Sequence, residues 1–462
     1  MAVLLLGALL AFLLVGITAG RAVGTRDAYF VAGRTGSGLA IGGSLFATAV
    51  GGSATVGAAG LAYDRGLTGA WWTLVGAIGL LLLGVVVAPR VRRYAAYTLP
   101  GIAGQMYGPR VGVAVALLTV VAWIGVVSGQ LVAAARVLSV AGQGSPTLWT
   151  IIFTGVLVAY ASSGGQKAVI RTDLLQGALI LVGTAGTLLY VVGAMGGMAQ
   201  WAMSAPVGSL DFPVSQSFGW SQLGTMLVLV GSVYIVGPDI YTRLLSARDA
   251  RTAKASAIGA AALIVPTALV VSGLGISARI LAPGLRAEQA LPWLASNALP
   301  LPVAFLLLTG LLAALMSSAD STLLGQASIM ANDVIARLVP MDDARVVTLA
   351  KVGVFVLAAI SLMLALSFQG VISSLMFAYS VFTSGVVGPV LVGLLARQHR
   401  PHGAAALAGI CVGGLCGLAG AGPWLAVPFK GQLPIVGLAL SVVLPLLLSA
   451  LFKRVTVSAN AR

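Results

Sequence analysis

Long apolar stretches follow one another along almost the whole chain, separated by short polar connections. A helix that crosses a membrane needs about 20 mostly apolar residues. Thirteen stretches meet this requirement and predict an all-α integral membrane protein in contact with the lipid bilayer. Their approximate limits are 1–20, 38–60, 70–89, 112–140, 147–163, 173–196, 221–242, 255–280, 300–324, 347–368, 370–396, 403–422 and 433–452.

Two of the predicted spans are interrupted near their middles. The second span carries Gly51 and Gly52 between hydroxyl residues, and the seventh carries Gly237 and Pro238. Proline lacks a backbone N–H and favours a break in the helix, although single glycines also serve to pack membrane helices. The two breaks lie five spans apart. This spacing predicts two five-helix units of opposite orientation, the inverted repeat of many transporters, each with a discontinuous first helix.

The spans predict a single transmembrane domain over residues 1–462. An extra helix and an inner loop occupy 1–37, the first repeat 38–196, the second repeat 197–396, and two extra helices 397–462. None of the connections is long and polar enough to form a separate soluble domain.

Composition supports a membrane protein, because only 8% of the residues are charged and 59% are hydrophobic. A soluble protein carries about 25% charged residues. The net charge of +15 would suggest nucleic acid for a soluble protein, but here we expect no nucleic-acid partner. With the N-terminus outside, 21 of the 26 basic residues fall on the inner side of the membrane, as basic loops usually do. We therefore expect a multi-pass protein of the cell membrane with a cytoplasmic C-terminus.

The first span resembles a signal peptide only in length. Residues 1–20 contain no basic residue before the apolar run, whereas Arg21 and Arg26 follow it. This polarity predicts a retained anchor rather than a cleaved signal.

Four acids lie within or at the ends of spans: Asp173, Asp239, Asp320 and Asp333. A charge at the centre of a membrane helix costs about 2.5–3.5 kcal/mol on insertion scales and often marks function. Asp239 and Asp333 each precede an arginine by four residues, a favourable helical pair, so we interpret both as structural. Asp173 could cap a helix or bind an ion, and its spacing does not decide between them.

The ninth span carries a stripe of small and hydroxyl residues. Ala314, Ser317, Ser318 and Ser321 follow the i, i+3, i+4, i+7 spacing of one helix face. A carbonyl and two hydroxyl groups on such a face suit a hard cation that prefers oxygen ligands. The same stripe could also pack against a neighbouring helix.

Four blocks of the sequence resemble the sodium:solute symporter family, which includes carriers of proline, pantothenate, sialic acid, galactose, monocarboxylates and choline. The blocks are Tyr-Phe-Val-Ala-Gly-Arg at 29–34 with the glycine-rich second span and 60–63; Thr-Asp at 172–173 with Gln176; Gly-Pro-Asp-Ile-Tyr-Thr-Arg at 237–243; and Ala-Ala-Leu-Met-Ser-Ser-Ala-Asp-Ser at 313–321. They occur in the family's order. The resemblance implies a sodium-coupled symporter of a small organic solute that works by alternating access.

The resemblance also implies the residues that bind Na+. It assigns the main sodium site to the carbonyl groups of Ala47, Val50 and Ala314 and to the hydroxyl groups of Ser317 and Ser318. It implies a second sodium near Asp173, Asp320 and Ser321 in some members. Asp320 replaces a serine of the sialic acid carriers and is similar to the choline carriers.

The residues that line the substrate cavity are inferred from the positions of the breaks: Gly51, Gly52, Ser53, Trp71, Trp72, Gln130, Ser232, Tyr234 and Tyr379. This set has no acid or base at the midplane. We expect a small carboxylate-bearing solute, such as an amino acid or a monocarboxylate. Arg136 is then either an interface anchor or an outer clamp for a carboxylate. A quaternary amine held by aromatic rings is the alternative substrate.

Two other functions stay open at this point. A proton on Asp173 or Asp320 could replace sodium as the coupling ion, or the chain could sense a solute and act through a separate partner. An enzyme is disfavoured, because the sequence has no His-Glu-x-x-His motif, no nucleophile motif and no histidine within a predicted span.

Overall fold

The computed structural model describes residues 2–19, 25–139, 145–367, 370–396, 400–422 and 429–459, so Arg21 lies outside the described residues. The regular structure in these ranges is helical. In chain order the α-helices are α1 (Ala2–Ala19), α2 (Arg26–Val31), α3 (Gly38–Ala49), α4 (Ala58–Arg65), α5 (Trp71–Leu82), α6 (Ala88–Val91), α7 (Leu99–Tyr107), α8 (Pro109–Leu138), α9 (Pro146–Ala194), α10 (Met198–Ser204), α11 (Trp220–Met226), α12 (Ser232–Val236), α13 (Pro238–Ser246), α14 (Ala250–Leu281), α15 (Ala290–Asn297), α16 (Leu301–Ile329), α17 (Ala336–Leu338), α18 (Asp343–Ser367), α19 (Val371–Phe382), α20 (Gly388–Leu395), α21 (Gly403–Ala421) and α22 (Leu433–Ala459).

The helices account for all thirteen predicted spans. In the described part of the chain, ten helical segments are long and apolar enough to cross a membrane, and Val3–Thr18 and Gly38–Ala49 are shorter apolar helices. Ser53–Val91 holds the second half of the second span together with the third span, and Pro146–Ala194 holds the fifth and sixth. The all-α membrane architecture is therefore confirmed.

The fifth and sixth spans form one helical run because α9 bends at Gly165 instead of ending there. Gly165 has φ 59° and ψ −169°, a left-handed backbone that side chains with a Cβ rarely adopt. A Cβ at this position would also lie 2.8 Å from the Tyr29 ring. Helical structure continues directly past the bend, so the sixth span begins before its predicted start at residue 173.

Both predicted helix breaks are present. α3 ends at Ala49, Val50 has φ −99° and ψ 58°, and helical structure resumes with a π-helical turn at Ser53–Gly57. α12 ends before Gly237, whose φ −54° and ψ 132° interrupt the helix, and α13 then begins at Pro238. Irregular backbone at membrane depth is tolerated where protein surrounds it, and the residues at both breaks are buried.

α16 lies at the centre of the molecule. It packs against α9, α8, α18 and α3 and also touches α13, and every residue from 310 to 324 is buried. Its polar residues are therefore shielded from lipid. Outward-facing apolar side chains such as Leu10, Phe355 and Leu447 are instead exposed, as expected for helices that face lipid.

The start of α3 is tied to the end of α13 at the predicted inner end. The Gly36 N–H donates to the Ser246 carbonyl at 2.9 Å, and the Arg248 N–H donates to the Gly36 carbonyl at 3.0 Å. The Arg92 guanidinium also donates to the Leu245 carbonyl at 3.0 Å. These backbone contacts join the first helices of the two predicted repeats.

Candidate functional site

Oxygen atoms of α3 and α16 converge at the break in α3. The Ser317 hydroxyl donates to the Ala47 carbonyl at 2.9 Å and lies 3.1 Å from the Ala314 carbonyl. The Ser318 hydroxyl donates to the Thr48 carbonyl at 2.7 Å. All five residues are buried. Because α3 ends at Ala49, the last carbonyl groups of the helix need partners from outside it, and the serines of α16 supply them.

The break requires glycine because its backbone lies directly against α16 and α8. A Cβ at Gly51 would lie 2.2 Å from the Ser318 hydroxyl oxygen, and a Cβ at Gly52 would lie 2.9 Å from the Ala133 Cβ. The Gly52 N–H donates to the Gln130 side-chain oxygen at 2.8 Å. Any larger residue would therefore push the break away from the serine stripe.

The donor atoms at this break fit a hard cation. They are carbonyl and hydroxyl oxygens of α3 and α16, the ligand chemistry that such cations prefer. Val50, the remaining predicted ligand, lies at the break itself and is fully buried. In the described ranges no group of three or more His, Cys, Asp or Glu residues could hold a metal ion. A cation at this position would therefore be held by neutral oxygens.

Replacing Gln130 with leucine should destabilise the break. The substitution leaves the buried Gly52 N–H without an acceptor, which costs about 1–3 kcal/mol. We expect a lower melting temperature and weaker sodium-dependent uptake in proteoliposomes. Gln326→Leu is a matched control, because Gln326 is also buried but its side-chain amide has no hydrogen-bond partner among the described residues. Equal losses in the two variants would contradict a specific role for Gln130.

A second polar cluster surrounds the guanidinium group of Arg243, which is buried together with Asp173. Nη2 of Arg243 lies 2.8 Å from Oδ2 of Asp173 and contacts the Ser321 hydroxyl. Nε donates to the Ser44 hydroxyl at 2.7 Å, and Nη1 donates to the backbone carbonyl of Asp239 at 3.1 Å. The cluster thereby joins α3, α9, α13 and α16.

This arrangement corrects the predicted pairing of Asp239 with Arg243. The two residues are four apart on α13, but the guanidinium binds the side chain of Asp173 and reaches only the carbonyl of Asp239. Arg243 instead pairs with a carboxylate on another helix, α9, where both partners are buried and water is excluded. The other predicted pair is present, because Nη2 of Arg337 lies 3.5 Å from Oδ1 of Asp333.

The three residues of the predicted second sodium site lie in the Arg243 cluster. Asp173 lies inside α9, past the bend, so it does not cap a helix start. Oδ1 of Asp320 accepts from the Ser321 hydroxyl at 2.9 Å. Oδ1 of Asp173 and Oδ2 of Asp320 are buried and have no hydrogen-bond partner among the described residues. The guanidinium of Arg243 is thus paired with Asp173 and connected to Asp320 through the Ser321 hydroxyl, and a second cation there stays a prediction.

A central cavity of about 40 Å³ adjoins both breaks. One water needs roughly 10–15 Å³ of such space, so the cavity is small. It is lined by Thr48, Ala49, Gly51, Ser53, Trp123, Val126, Gln130, Val233, Tyr234, Asp239, Ile240, Ser318, Thr322, Leu375 and Tyr379. The predicted substrate residues in this lining are Gly51, Ser53, Gln130, Tyr234 and Tyr379.

The other four predicted substrate residues lie outside the lining. Gly52 bonds to Gln130, as described above. The Ser232 hydroxyl lies 3.3 Å from that of Thr383. Trp72 stacks on Tyr379 with 6.3 Å between ring centroids, so it supports a lining residue from behind. The Trp71 indole donates to the Pro213 carbonyl at 2.8 Å and stacks on Phe212, which directs it away from the cavity.

The expectation that the cavity contains no acid was wrong, because Asp239 lines it. Asp239 directly follows the Gly237–Pro238 break, and the first turn of a helix that starts at a break must lie at that break. The position of Asp239 directly after the break could therefore have predicted that it lines the cavity. Its four-residue spacing from Arg243 favoured a helical ion pair instead. Trp123 and Thr322 also line the cavity and were not predicted. Whether these side chains face the cavity depends on the orientation of α8 and α16 about their helix axes.

Arg136 lies away from the central cavity, beside a second cavity of about 330 Å³ at the predicted outer end. Its Nε is 3.8 Å from Oε2 of Glu288, and Oε1 of Glu288 accepts the Val371 N–H at 2.6 Å. Burial raises the pKa of Glu288, while the Val371 N–H and the charge of Arg136 oppose this. The arginine that was predicted as a carboxylate clamp thus already has a carboxylate beside it.

Comparison with known proteins places these features in context. The sequence model of the "Sodium:solute symporter family" matches residues 29–413. The sodium/glucose cotransporter of Vibrio parahaemolyticus is 24% identical over 416 residues, covering 81% of this chain and 76% of the relative. The sodium/pantothenate symporter of Escherichia coli strain K12 is 27% identical over 421 residues, covering 86% of this chain and 84% of the relative.

Two solved structures share the fold. A Na+-coupled sialic acid symporter, solved in a substrate-bound outward-open state, superposes with a TM-score of 0.80 at 20% identity and covers 97% of both chains. MhsT in complex with L-phenylalanine superposes with a TM-score of 0.59 at 17% identity, covering 90% of this chain and 99% of that one. The two superpositions confirm the predicted fold class.

Proposed function

The chain belongs to the sodium:solute symporter family, and we propose that it is a sodium-coupled symporter of a small organic solute. The observation that carries this proposal is the convergence of carbonyl groups at the end of α3 with two hydroxyl groups of α16, next to the central cavity. An ion held there would lie beside the bound solute. Ion and solute would then stabilise each other's binding, as coupled transport requires.

The position of the ion explains how it would control access. α3 belongs to the proposed first repeat (38–196), and α16 belongs to the second (197–396). Sodium held by Ala47, Val50, Ala314, Ser317 and Ser318 would link the two repeats and favour one of their relative positions. Its departure would permit the other. One sodium ion that moves inward across a membrane potential of 100 mV, negative inside, releases about 2.3 kcal/mol. This free energy supports roughly fortyfold accumulation of a neutral solute inside.

The nature of the solute is inferred from the relatives and from the cavity. The relatives named above are described as carriers of glucose and of pantothenate, and another relative as a high-affinity proline transporter. All are small organic solutes. Of the two classes expected from the sequence, an amino acid fits the cavity better than a monocarboxylate, because the carboxylate of Asp239 would repel a solute whose only charge is negative.

Uptake under separate ion gradients tests the proposal. The purified chain is reconstituted into proteoliposomes, and uptake of labelled L-alanine, L-proline, choline and L-lactate is measured under an inward sodium gradient, an inward proton gradient or neither. We expect uptake of at least one solute only with the sodium gradient. Uptake that follows the proton gradient would replace sodium with a proton as the coupling ion.

Ion binding is measured independently of the choice of solute. The melting temperature of the purified chain should rise with NaCl and not with KCl at equal ionic strength. No sodium-specific stabilisation, together with no uptake, would contradict symport. Solute binding without uptake under any gradient would favour a sensor.

A further inference from the structure

Asp239 is the charged group of the central cavity. Of the cavity-lining side chains that the structure describes, it alone is ionic, and none is Lys, Arg or His. Arg243, the nearest cation along the chain, directs its guanidinium to the carboxylate of Asp173 and meets only the backbone carbonyl of Asp239. No ion pair among the described residues includes the Asp239 side chain.

Helix ends of both polarities meet at the same cavity. α3 ends at the cavity wall with Thr48 and Ala49, and α12 ends directly before Gly237, one residue from α13. The C-terminus of a helix carries a partial negative charge. The positive N-terminus of α13 lies here too, but Asp239 occupies its first turn. A second helical segment begins at Ser53 in the cavity wall, so the helix ends offset one another and the carboxylate of Asp239 supplies the full negative charge of the described lining.

The rest of the wall suits a cation that is partly apolar. The rings of Trp123, Tyr234 and Tyr379 line the cavity. Aromatic faces attract ammonium groups within about 6 Å of the ring centre, more strongly where water is excluded. Tyr379 is held in place by Trp72, which stacks on it at an interplanar angle of 22°. The wall thus pairs one carboxylate with several rings.

We propose that the central cavity recognises its solute through a positively charged nitrogen, with Asp239 as the counter-ion. The proposal rests on the proposed function, in which this cavity holds the transported solute. An ammonium group would donate charge-assisted hydrogen bonds to the carboxylate, whereas a quaternary ammonium would lie against the rings with Asp239 beside it. Sugars and simple carboxylic acids lack this group and would leave the carboxylate of Asp239 without an ion-pair partner in the described cavity lining.

The competing role for Asp239 is a structural one, as an acid in the first turn of a helix. Asparagine is nearly equivalent at helix starts, so Asp239→Asn preserves much of that role and removes the charge. Asp342 offers a matched control. It precedes α18, accepts the Arg345 N–H at 2.8 Å and lies on the surface. Asp342→Asn makes the same chemical change at a helix start away from the cavity.

The test compares pairs of solutes that differ in the charged nitrogen. Choline is compared with its neutral carbon analogue 3,3-dimethyl-1-butanol, and L-alanine with propionate, which lacks the amino group. Binding to the full-length chain in NaCl is measured by calorimetry or by the shift in melting temperature. We expect the nitrogen-bearing member of at least one pair to bind at least about tenfold more tightly. The choline pair and the alanine pair distinguish a quaternary amine from an amino acid.

The variants show whether Asp239 causes the preference. In Asp239→Asn the preference should fall at least about tenfold, in Asp239→Glu it should be largely retained, and in Asp342→Asn it should be unchanged. Tighter binding of propionate or of the neutral alcohol would overturn the proposal, as would an unchanged preference in Asp239→Asn or no binding of either nitrogen-bearing probe. Sodium-specific stabilisation is measured in the same samples. If it persists while the preference is absent, the solute class is wrong and sodium coupling stands.

Discussion

Removing either hydroxyl group of the sodium site should weaken the apparent sodium affinity by roughly ten- to a hundredfold. The loss of one hydrogen-bonding or ligand oxygen to a charged group costs about 1.5–3 kcal/mol, and each 1.4 kcal/mol is a factor of ten. Ser317→Ala and Ser318→Ala each remove one such oxygen and add no volume. The affinity is read as the sodium concentration that gives half-maximal uptake, or half-maximal thermal stabilisation.

Ser328 provides a control on the same helix. It is also buried on α16, but its hydroxyl donates to the Leu324 carbonyl one turn earlier, at 2.7 Å, away from the break. Ser328→Ala should leave the sodium dependence unchanged. If Ser317→Ala and Ser318→Ala retain transport with the sodium dependence of the unmodified chain, the ion does not bind at the break in α3.

The features that sequence could predict are those that depend on neighbours along the chain. Thirteen apolar stretches predict thirteen helices because each span buries its own backbone hydrogen bonds. The breaks follow from Gly51 and Gly52 and from Gly237 and Pro238, whose local preferences oppose a continuous helix. The serine stripe follows from helical spacing alone. The structure brings Ser317 to Ala47, a partner that only the family resemblance implied, while sodium binding there remains a proposal.

The features that sequence could not predict depend on how each helix is rotated in the bundle. Asp239 and Arg243 have the spacing of a helical pair, yet Arg243 faces α9 and Asp239 faces the cavity. Trp71 and Trp72 are adjacent, so they point in different directions, and neither lines the cavity. The position of Arg136 in α8 could not show that it lies away from the central cavity. Its partner Glu288 comes from a connection that is distant in the sequence.

The buried pair of Arg243 and Asp173 should be the most sensitive point for stability. Among the described residues, Arg243 pairs with the buried carboxylate of Asp173, and the buried Asp320 belongs to the same cluster through Ser321, so Arg243→Met removes the cation of this cluster. Breaking a buried ion pair by removing one partner costs about 3–5 kcal/mol, since an uncompensated charge remains. We expect a large fall in the melting temperature and loss of folded protein at moderate temperature. Arg337→Met is the control, because Arg337 is partly exposed and Asp333 keeps the hydrogen bond from the Thr98 hydroxyl at 2.5 Å.

The number of charged groups in the Arg243 cluster predicts whether Asp173→Asn or Arg243→Met lowers the stability more. The cluster holds two acids and one arginine, so Asp173→Asn leaves one acid, Asp320, to balance Arg243, whereas Arg243→Met leaves two acids with no cation. Asp173→Asn should therefore be milder, and the double variant should be more stable than Arg243→Met alone, a coupling that a double-mutant cycle measures. If Arg243→Met is no worse than Arg337→Met, the pair does not hold the helices together.

The same variants test the second cation. A sodium ion that adds one positive charge beside Asp173 and Asp320 would balance the cluster, and Asp173→Asn would remove the need for it. The number of sodium ions moved per solute, measured from the reversal potential in proteoliposomes, should then fall by one in Asp173→Asn. A ratio of one that the substitution leaves unaltered would mean that Arg243 is the sole cation of the cluster. The ion at the α3 break would then drive transport by itself.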